Sequence, residues 1–272
     1  MTDRYAVIGN PIEHSKSPLI HTAFAEQTGE AIEYTRLLGE LGRFEESVRT
    51  FFDQGGRGLN VTVPFKEEAW QLADERSERA ETAGAVNTLI LLADGRIRGD
   101  NTDGAGLVRD LTINHGYRLE GRRILLLGAG GASKGVVRPL LDSSLTQLVI
   151  ANRTATKAVS LANELTELGN VEGCGLDQLT GQTFDLIING TAAGLKGDVP
   201  PIPDDLLTAS GWTYDMMYAT EPTAFVRWGR AHGAAKALDG LGMLVEQAAE
   251  SFYLWCGVRP ETGAVIEMLR KP

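Results

Sequence analysis

Ile124-Leu125-Leu126-Leu127-Gly128-Ala129-Gly130-Gly131-Ala132-Ser133 is the stretch on which the fold turns. Four apolar residues in a row, without alternation, are what a central parallel strand shows, because helices cover both of its faces. The Gly-Ala-Gly that follows, with helical sequence beginning near Ser133, is the strand-turn-helix setting that gives a GxG pattern meaning. The first glycine permits a tight turn and the second lets the backbone approach a pyrophosphate. The helix N-terminus adds NH groups and the positive end of its dipole. Gly128, Ala129, Gly130, Gly131 and Ala132 are therefore the candidate dinucleotide loop. Ser133 stands where the usual pattern has its third glycine, which loosens the expected packing of helix on strand. A plain strand-to-helix turn uses glycine as well, so the loop alone leaves both readings open.

Downstream, Leu148-Val149-Ile150, Asp185-Leu186-Ile187-Ile188 and Thr213-Tyr214-Asp215 read as further strands of the same α/β series. Enzymes that bind NAD tend to carry an acid about 20 residues beyond the loop, for the ribose 2′-hydroxyl. Here the next strand ends in Ala151-Asn152-Arg153-Thr154, with Lys157 close behind and no acid. An arginine can hold a 2′-phosphate through two parallel hydrogen bonds, and a second cation adds to the field, so NADP is favoured. A surface arginine beside Thr154 acting as helix N-cap is the plainer alternative.

Upstream, residues 4 to 115 alternate β-rich runs with helical periodicity. Tyr5 to Ile8 is strand-like, Leu19, Ile20, Ala23 and Phe24 are helical, and Glu33 to Leu38 is a second strand. Phe44, Val48, Phe51 and Phe52 mark a second helix, and Gly58 to Val63 a third strand. Thr88 to Leu92 and Arg96 to Gly99 flank Asp94-Gly95, a pair suited to the φ > 0 conformations of a tight hairpin, which makes the first sheet mixed. Leu241 to Cys256 and Glu261 to Leu269 close the chain as two helices. The expected fold is α/β in two domains. A mixed-sheet substrate domain spans 1–102 plus 239–272, and a Rossmann-type dinucleotide domain spans 103–238.

Composition narrows the function. With 272 residues, 43% hydrophobic and 23% charged, the chain is an ordinary globular one, and its net charge of −10 argues against general affinity for nucleic acid or anionic lipid. Cys174 and Cys256 form no CxxC pair, and no His/Cys/Asp cluster has metal-ligand spacing, so no metal is expected. With no secretory leader pattern and no apolar run of spanning length, a cytoplasmic location is expected.

Chemistry concentrates in Asn60-Val61-Thr62-Val63-Pro64-Phe65-Lys66 and Asn101-Thr102-Asp103-Gly104. A lysine just past a strand end and a carboxylate at a helix start are what proton transfer to a substrate oxygen needs, if the fold brings them together. Asn60 and Thr62, two apart in a strand, share a polar face while Val61 and Val63 point the other way. Ser17 before Pro18 reads as an N-cap with proline at N1, beside a second hydroxyl at Ser15. Asn87 has a turn amide as its bland reading and Asp103 an N-cap. Gln247 sits on a partly apolar helical stripe with Met243, Leu244 and Ser251, where its amide wants a partner. His14, His21, His115 and His232 are rival proton carriers, of which only His14 lies beside a pocket motif.

These motifs, with Ser15-Lys16-Ser17-Pro18, Gly84-Ala85-Val86-Asn87-Thr88, Asn152-Arg153-Thr154 and Gly240-Leu241-Gly242-Met243-Leu244-Val245-Glu246-Gln247, resemble the shikimate dehydrogenase family nearly end to end. The resemblance implies NADP-dependent interconversion of 3-dehydroshikimate and shikimate, with hydride transfer to the C3 carbonyl and Lys66 as general acid/base. It implies that Ser15 and Ser17 bind the substrate carboxylate. Asn60, Thr62, Lys66, Asn87, Asp103, Tyr218 and Gln247 would complete the substrate site, and Lys66 and Asp103 are expected to pair. Cofactor contacts would come from the glycine loop, Asn152, Arg153, Thr154, Lys157, Thr191, Met216, Gly240 and Glu78. A solvated helix face explains Glu78 equally. The sequence departs from the family pattern in Lys157, where arginine is usual, and in Gly190-Thr191-Ala192-Ala193-Gly194, where a Thr-Ser pair is commoner. Expected partners are small molecules only, in a monomer or homodimer. A quinate/shikimate dehydrogenase using either nicotinamide cofactor, and a non-catalytic ligand-binding regulator on the same fold, are the alternatives.

Overall fold

In the computed structural model, which describes residues 2–271 and only the backbone of 195 and 196, the chain builds two six-stranded sheets. The first contains β1 (Asp3–Gly9), β2 (Ile32–Leu38), β3 (Gly56–Val61), β4 (Glu75–Arg76), β5 (Thr88–Leu91) and β6 (Ile97–Asp100), in the order β2-β1-β3-β5-β6-β4. β1 runs parallel to β2 and β3, and β4 parallel to β6, whereas β3, β5 and β6 pair antiparallel, so the sheet is mixed. Its helices are α1 (Ser17–Thr28), α2 (Phe44–Asp53), α3 (Lys66–Leu72), α4 (Glu78–Ala83) and α5 (Asp103–Arg109). Apolar residues at helical spacing on α2 bury Phe44, Val48, Phe51 and Phe52 against Ile8, Leu59 and Val61 of one sheet face and against Phe65 in the turn beyond it.

The second sheet contains β7 (Arg123–Leu127), β8 (Gln147–Asn152), β9 (Val171–Gly175), β10 (Phe184–Asn189), β11 (Leu207–Asp215) and β12 (Lys236–Leu238), in the order β12-β11-β10-β7-β8-β9, parallel throughout. Strand order reverses between β7 and β10, which makes this the doubly wound dinucleotide-binding topology. Its strand residues alternate between two cores. Ile124, Leu126, Leu148 and Ile150 lie on one side, and Leu125, Leu127, Val149 and Ile187 on the other. The helices are α6 (Gly131–Leu141), α7 (Ala155–Glu164) and α8 (Ala224–Ala231). α9 (Leu241–Cys256) and α10 (Gly263–Arg270) end the chain, with Val245, Ala249 and Phe252 of α9 packed on Ile20 and Phe24 of α1. Two compact units result, one running to Gly106 and resuming from Leu244 to Lys271, the other from Leu107 to Met243. No helix among the described residues is long and apolar enough to cross a membrane.

Three local expectations need correction. β3 ends at Val61, because Thr62 N donates to Ile8 O and Phe65 N to Thr62 O, which turns the chain into α3. Thr62 and Val63 are therefore outside the strand, and Val63 is 63% exposed rather than paired in orientation with buried Val61. At the hairpin only Gly95 takes positive φ. Leu92 N donates to Arg96 O and Gly95 N to Leu92 O, so the loop has three residues with glycine at its left-handed position. Ser17 is the first residue of α1 and Lys16 holds the cap position, so Ser17 does not cap the helix; its backbone N–H instead donates to Ser15 Oγ at 3.3 Å.

Candidate active site

Lys66 opens α3 directly after buried Phe65, which stacks on Phe44 and anchors the turn that follows β3. Asp103 opens α5 just after β6, with its backbone N–H donating to Asn101 Oδ1 at 3.1 Å. The mixed sheet places these two helix starts together. Lys66 Nζ donates to Asp103 Oδ2 at 2.6 Å, in a pair whose side chains are 30% and 13% exposed. An ammonium has three donors, and this contact uses one. Val86 N donates to Lys66 O at 2.9 Å, tying the lysine backbone to the segment that carries Asn87.

Asn87 has its amide orientation set by its neighbours. Its Oδ1 accepts from Thr102 N at 2.9 Å and Thr88 Oγ1 at 2.9 Å, so Nδ2 faces Asp103 Oδ1, 2.8 Å away. Gln247 comes in from α9, its Oε1 3.4 Å from Asn87 Nδ2 and its Nε2 donating to Leu244 O at 2.8 Å. The amide thus finds partners within the protein. Asn60 is buried, with Nδ2 donating to Ser251 Oγ at 3.0 Å. Thr62 packs its methyl where a Cβ on Gly9 would stand, beside the loop that leads to Ser15 and Ser17. Arg36 holds that loop through Ser15 O, at 2.7 Å from its Nη2. Eight of the nine expected substrate residues thus lie in the first unit, seven before Gly106 and Gln247 from the chain's end. Tyr218 belongs to the second unit, 37% exposed beyond β11, and burial of the rest of its ring raises its phenol above the usual value. Among the rivals, His14 is exposed, while His21 is fully buried with its pKa pushed down to about 3 by loss of solvent.

The glycine loop lies at the carboxyl ends of the second sheet. Gly128 takes φ +106°, a conformation other residues avoid. Gly130 holds the cap position of α6, and nothing lies within 4 Å of a Cβ on Gly130 or Gly131, so the helix start is open. Ser133 is fully buried, its Oγ without a partner and 2.9 Å from where a Cβ on Gly128 would be. The serine thus permits the close helix-strand packing that its departure from glycine put in question. Backbone hydrogen bonds then align the neighbouring strand ends: Gly128 N to Ala151 O, Gly190 N to Leu127 O, Met216 N to Asn189 O and Gly240 N to Met217 O. Thr191, Met216 and Gly240 are thereby brought beside the loop, and a Cβ on Gly240 would strike Met216 O. Buried Asp215 fixes this edge, accepting from Asn189 Nδ2, Met217 N and Thr223 Oγ1, with burial raising its carboxyl above the ordinary range. Asn152 Nδ2 donates to Thr154 O, leaving Arg153 and Lys157 exposed and without an ion pair among the described residues. Thr154 occupies the cap position of α7 without a side-chain cap bond. These features fit a dinucleotide carrying an extra phosphate. Glu78 lies in the first unit, at the start of α4.

Sequence reasoning passed over Tyr34, Thr88, Thr102 and Ser251, which hydrogen-bond Asn60 and Asn87 from behind. Ser251 was legible as the residue one turn beyond Gln247. Tyr34, a single aromatic in β2, carried no signal.

Family models match three segments of the chain. These are the shikimate dehydrogenase substrate binding domain over residues 7–89, shikimate/quinate 5-dehydrogenase over 111–196, and the shikimate 5′-dehydrogenase C-terminal domain over 240–270. The chain is 62% identical over 270 residues to the shikimate dehydrogenase (NADP(+)) of Alkalilimnicola ehrlichii, covering 99% of each chain. It is 54% identical to that of Nitrosococcus oceani, covering 100% of this chain and 96% of that one. Shikimate 5-dehydrogenase from Thermus thermophilus, solved in complex with NADP(H) and shikimate, superposes with TM-score 0.87 at 32% identity over 99% of both chains.

Proposed function

The chain belongs to the shikimate dehydrogenase family, and on that premise we propose that it interconverts 3-dehydroshikimate and shikimate, with Lys66 as the proton donor and acceptor. The observation that carries the reading is the Lys66–Asp103 pair, a cation held at a helix start among amides and hydroxyls that suit a polyhydroxylated ring.

NADPH, held by the loop from Gly128 to Ala132 with Asn152, Arg153, Thr154 and Lys157 toward its 2′-phosphate and Thr191, Met216 and Gly240 at the strand ends, supplies the hydride when bound. Lys66 meets the charge that develops on the substrate oxygen. Its ammonium hydrogen-bonds the C3 carbonyl oxygen and passes a proton to it as the alkoxide forms. Asp103 holds the ammonium in place, and Asn87 holds Asp103 by donating to its other oxygen. In the oxidative direction the neutral amine takes the hydroxyl proton, so oxidation is favoured at alkaline pH. Ser15 and Ser17 take the substrate carboxylate, Asn60, Thr62, Gln247 and Tyr218 the remaining polar groups. The physiological direction is reduction, toward chorismate and the aromatic amino acids. With both cysteines free, a reducing cytoplasm is the proposed setting.

The test follows NADPH absorbance after addition of 3-dehydroshikimate, with wild type and Lys66→Met side by side. Loss of about 10²- to 10⁴-fold in turnover is expected for removal of a general acid. Near-normal turnover in Lys66→Met would exclude the role, and a preference for NADH over NADPH would overturn the cofactor assignment.

A further inference from the structure

The hydrogen bonds around Asp103 continue away from the pair into the interior of the first unit. Tyr34, buried in β2, donates its hydroxyl to Asn60 Oδ1 at 2.7 Å, which turns the Asn60 amide so that Nδ2 faces α9. Asn60 Nδ2 donates to Ser251 Oγ at 3.0 Å. The Ser251 and Thr88 hydroxyls lie 2.7 Å apart, and Thr88 already gives its hydrogen to Asn87 Oδ1 at 2.9 Å, so Ser251 is the donor between them. Its alternative acceptor, Gln247 O, is farther away at 3.1 Å. Asn87 Nδ2 then donates to Asp103 Oδ1, and Asp103 Oδ2 receives Lys66.

We propose that Tyr34 and Ser251 are positioning residues of the reaction: through Asn60, Thr88 and Asn87 they form a one-way line of donors that ends on Asp103 and sets how that carboxylate holds the Lys66 ammonium. The inference rests on the reading of Lys66 as the acid. Ser251 and Thr88 are fully buried, Asn87 3% and Asn60 6% exposed, so each bond acts in a low-dielectric interior where successive donors polarise one another. His21 lies flat on the Tyr34 ring, centroids 4.2 Å apart and planes 5° from parallel, and neither of its nitrogens has a partner. The buried imidazole stays neutral. The stack holds the Tyr34 ring in place behind Asn60. The line joins β2, β3, α9 and β5, so it also couples α9 to the reacting pair.

Tyr34→Phe removes one oxygen and keeps the ring on His21, Ser251→Ala removes the central relay, and the double variant tests whether the two act in series. Each single variant is expected to lower kcat for shikimate oxidation by about five- to tenfold, with the shikimate KM changed less than about twofold. The double variant is expected to lose no more than the worse single, because a line broken once is already broken. If Ser251→Ala fails to fold, Tyr34→Phe decides alone. Unchanged kcat, loss in KM only, or effects that multiply in the double variant overturn the proposal while Lys66→Met remains inactive. An active Lys66→Met would instead remove the reading on which it rests.

Discussion

Arg153 stands exposed at the end of β8 with no ion-pair partner among the described residues, so its guanidinium is available to an anion. A bidentate pair with the 2′-phosphate exists only for the phosphorylated cofactor. Arg153→Ala is therefore expected to raise KM for NADPH about ten- to hundredfold while leaving NADH kinetics unchanged; equal losses with both cofactors would contradict the assignment. Ser133 behaves oppositely. Its buried hydroxyl has no partner, and only its small size is used, against Gly128 and Gly190. Ser133→Ala is expected to keep or raise the melting temperature, since a buried unsatisfied hydroxyl is destabilising, and Ser133→Val to lower it by overpacking. A marked loss in the alanine variant would mean that the hydroxyl has a partner in solution.

Among the elements, α3 is short and owes its placement to what precedes it. Phe65 is fully buried, stacked on Phe44 at 5.0 Å and lying where a side chain on Gly39 would stand. Phe65→Ala is expected to destabilise the protein by about 3–5 kcal/mol, read from urea denaturation. It is also expected to lower kcat, because Lys66 is the next residue. Full activity in a destabilised Phe65→Ala would show that the lysine finds Asp103 without this anchor. In the second sheet the carboxyl ends beside the glycine loop are aligned by backbone, with Gly128, Gly190, Met216 and Gly240 each bonded to the neighbouring chain segment.

For the whole molecule, one acid-sensitive group is His21. Burial lowers its pKa from 6.5 to about 3, so between those values the unfolded chain binds a proton that the folded chain refuses. More protons on the unfolded side mean that stability rises with pH in this window. It is lost as pH falls below about 6.5, by up to about 1.4 kcal/mol per pH unit. His21→Phe is expected to flatten the dependence of unfolding free energy on pH between 6.5 and 4. The same slope in wild type and variant would assign the acid loss to other groups. Tyr34 faces the same loss of solvent, which holds its phenol far above the usual value and keeps it a donor at every working pH.

Much of this architecture was written locally. The apolar run 124–127, the periodicity of α2 and the helical span 241–256 are patterns of one element, decided by which face must leave water, and they hold without knowledge of the rest. Three of the four edge strands were illegible, whereas the fourth, Ile32–Leu38, was read as a strand. Glu75–Arg76 and Lys236–Leu238 are too short to show a period, Val171–Gly175 has glycines where a strand pattern would show, and all three are strands because a neighbour offers them hydrogen bonds. In the same way, sequence pointed to Lys66 and Asp103 as reactive groups, but their 2.6 Å contact depends on where β3 and β6 end in one sheet. Of the donors behind them, Ser251 shows in the sequence only as a neighbour of Gln247 on one helical face, and Tyr34 not at all; their hydrogen bonds to Asn60 were decided by tertiary structure, since a bond between distant residues is a fact about packing and leaves no periodic trace in the chain.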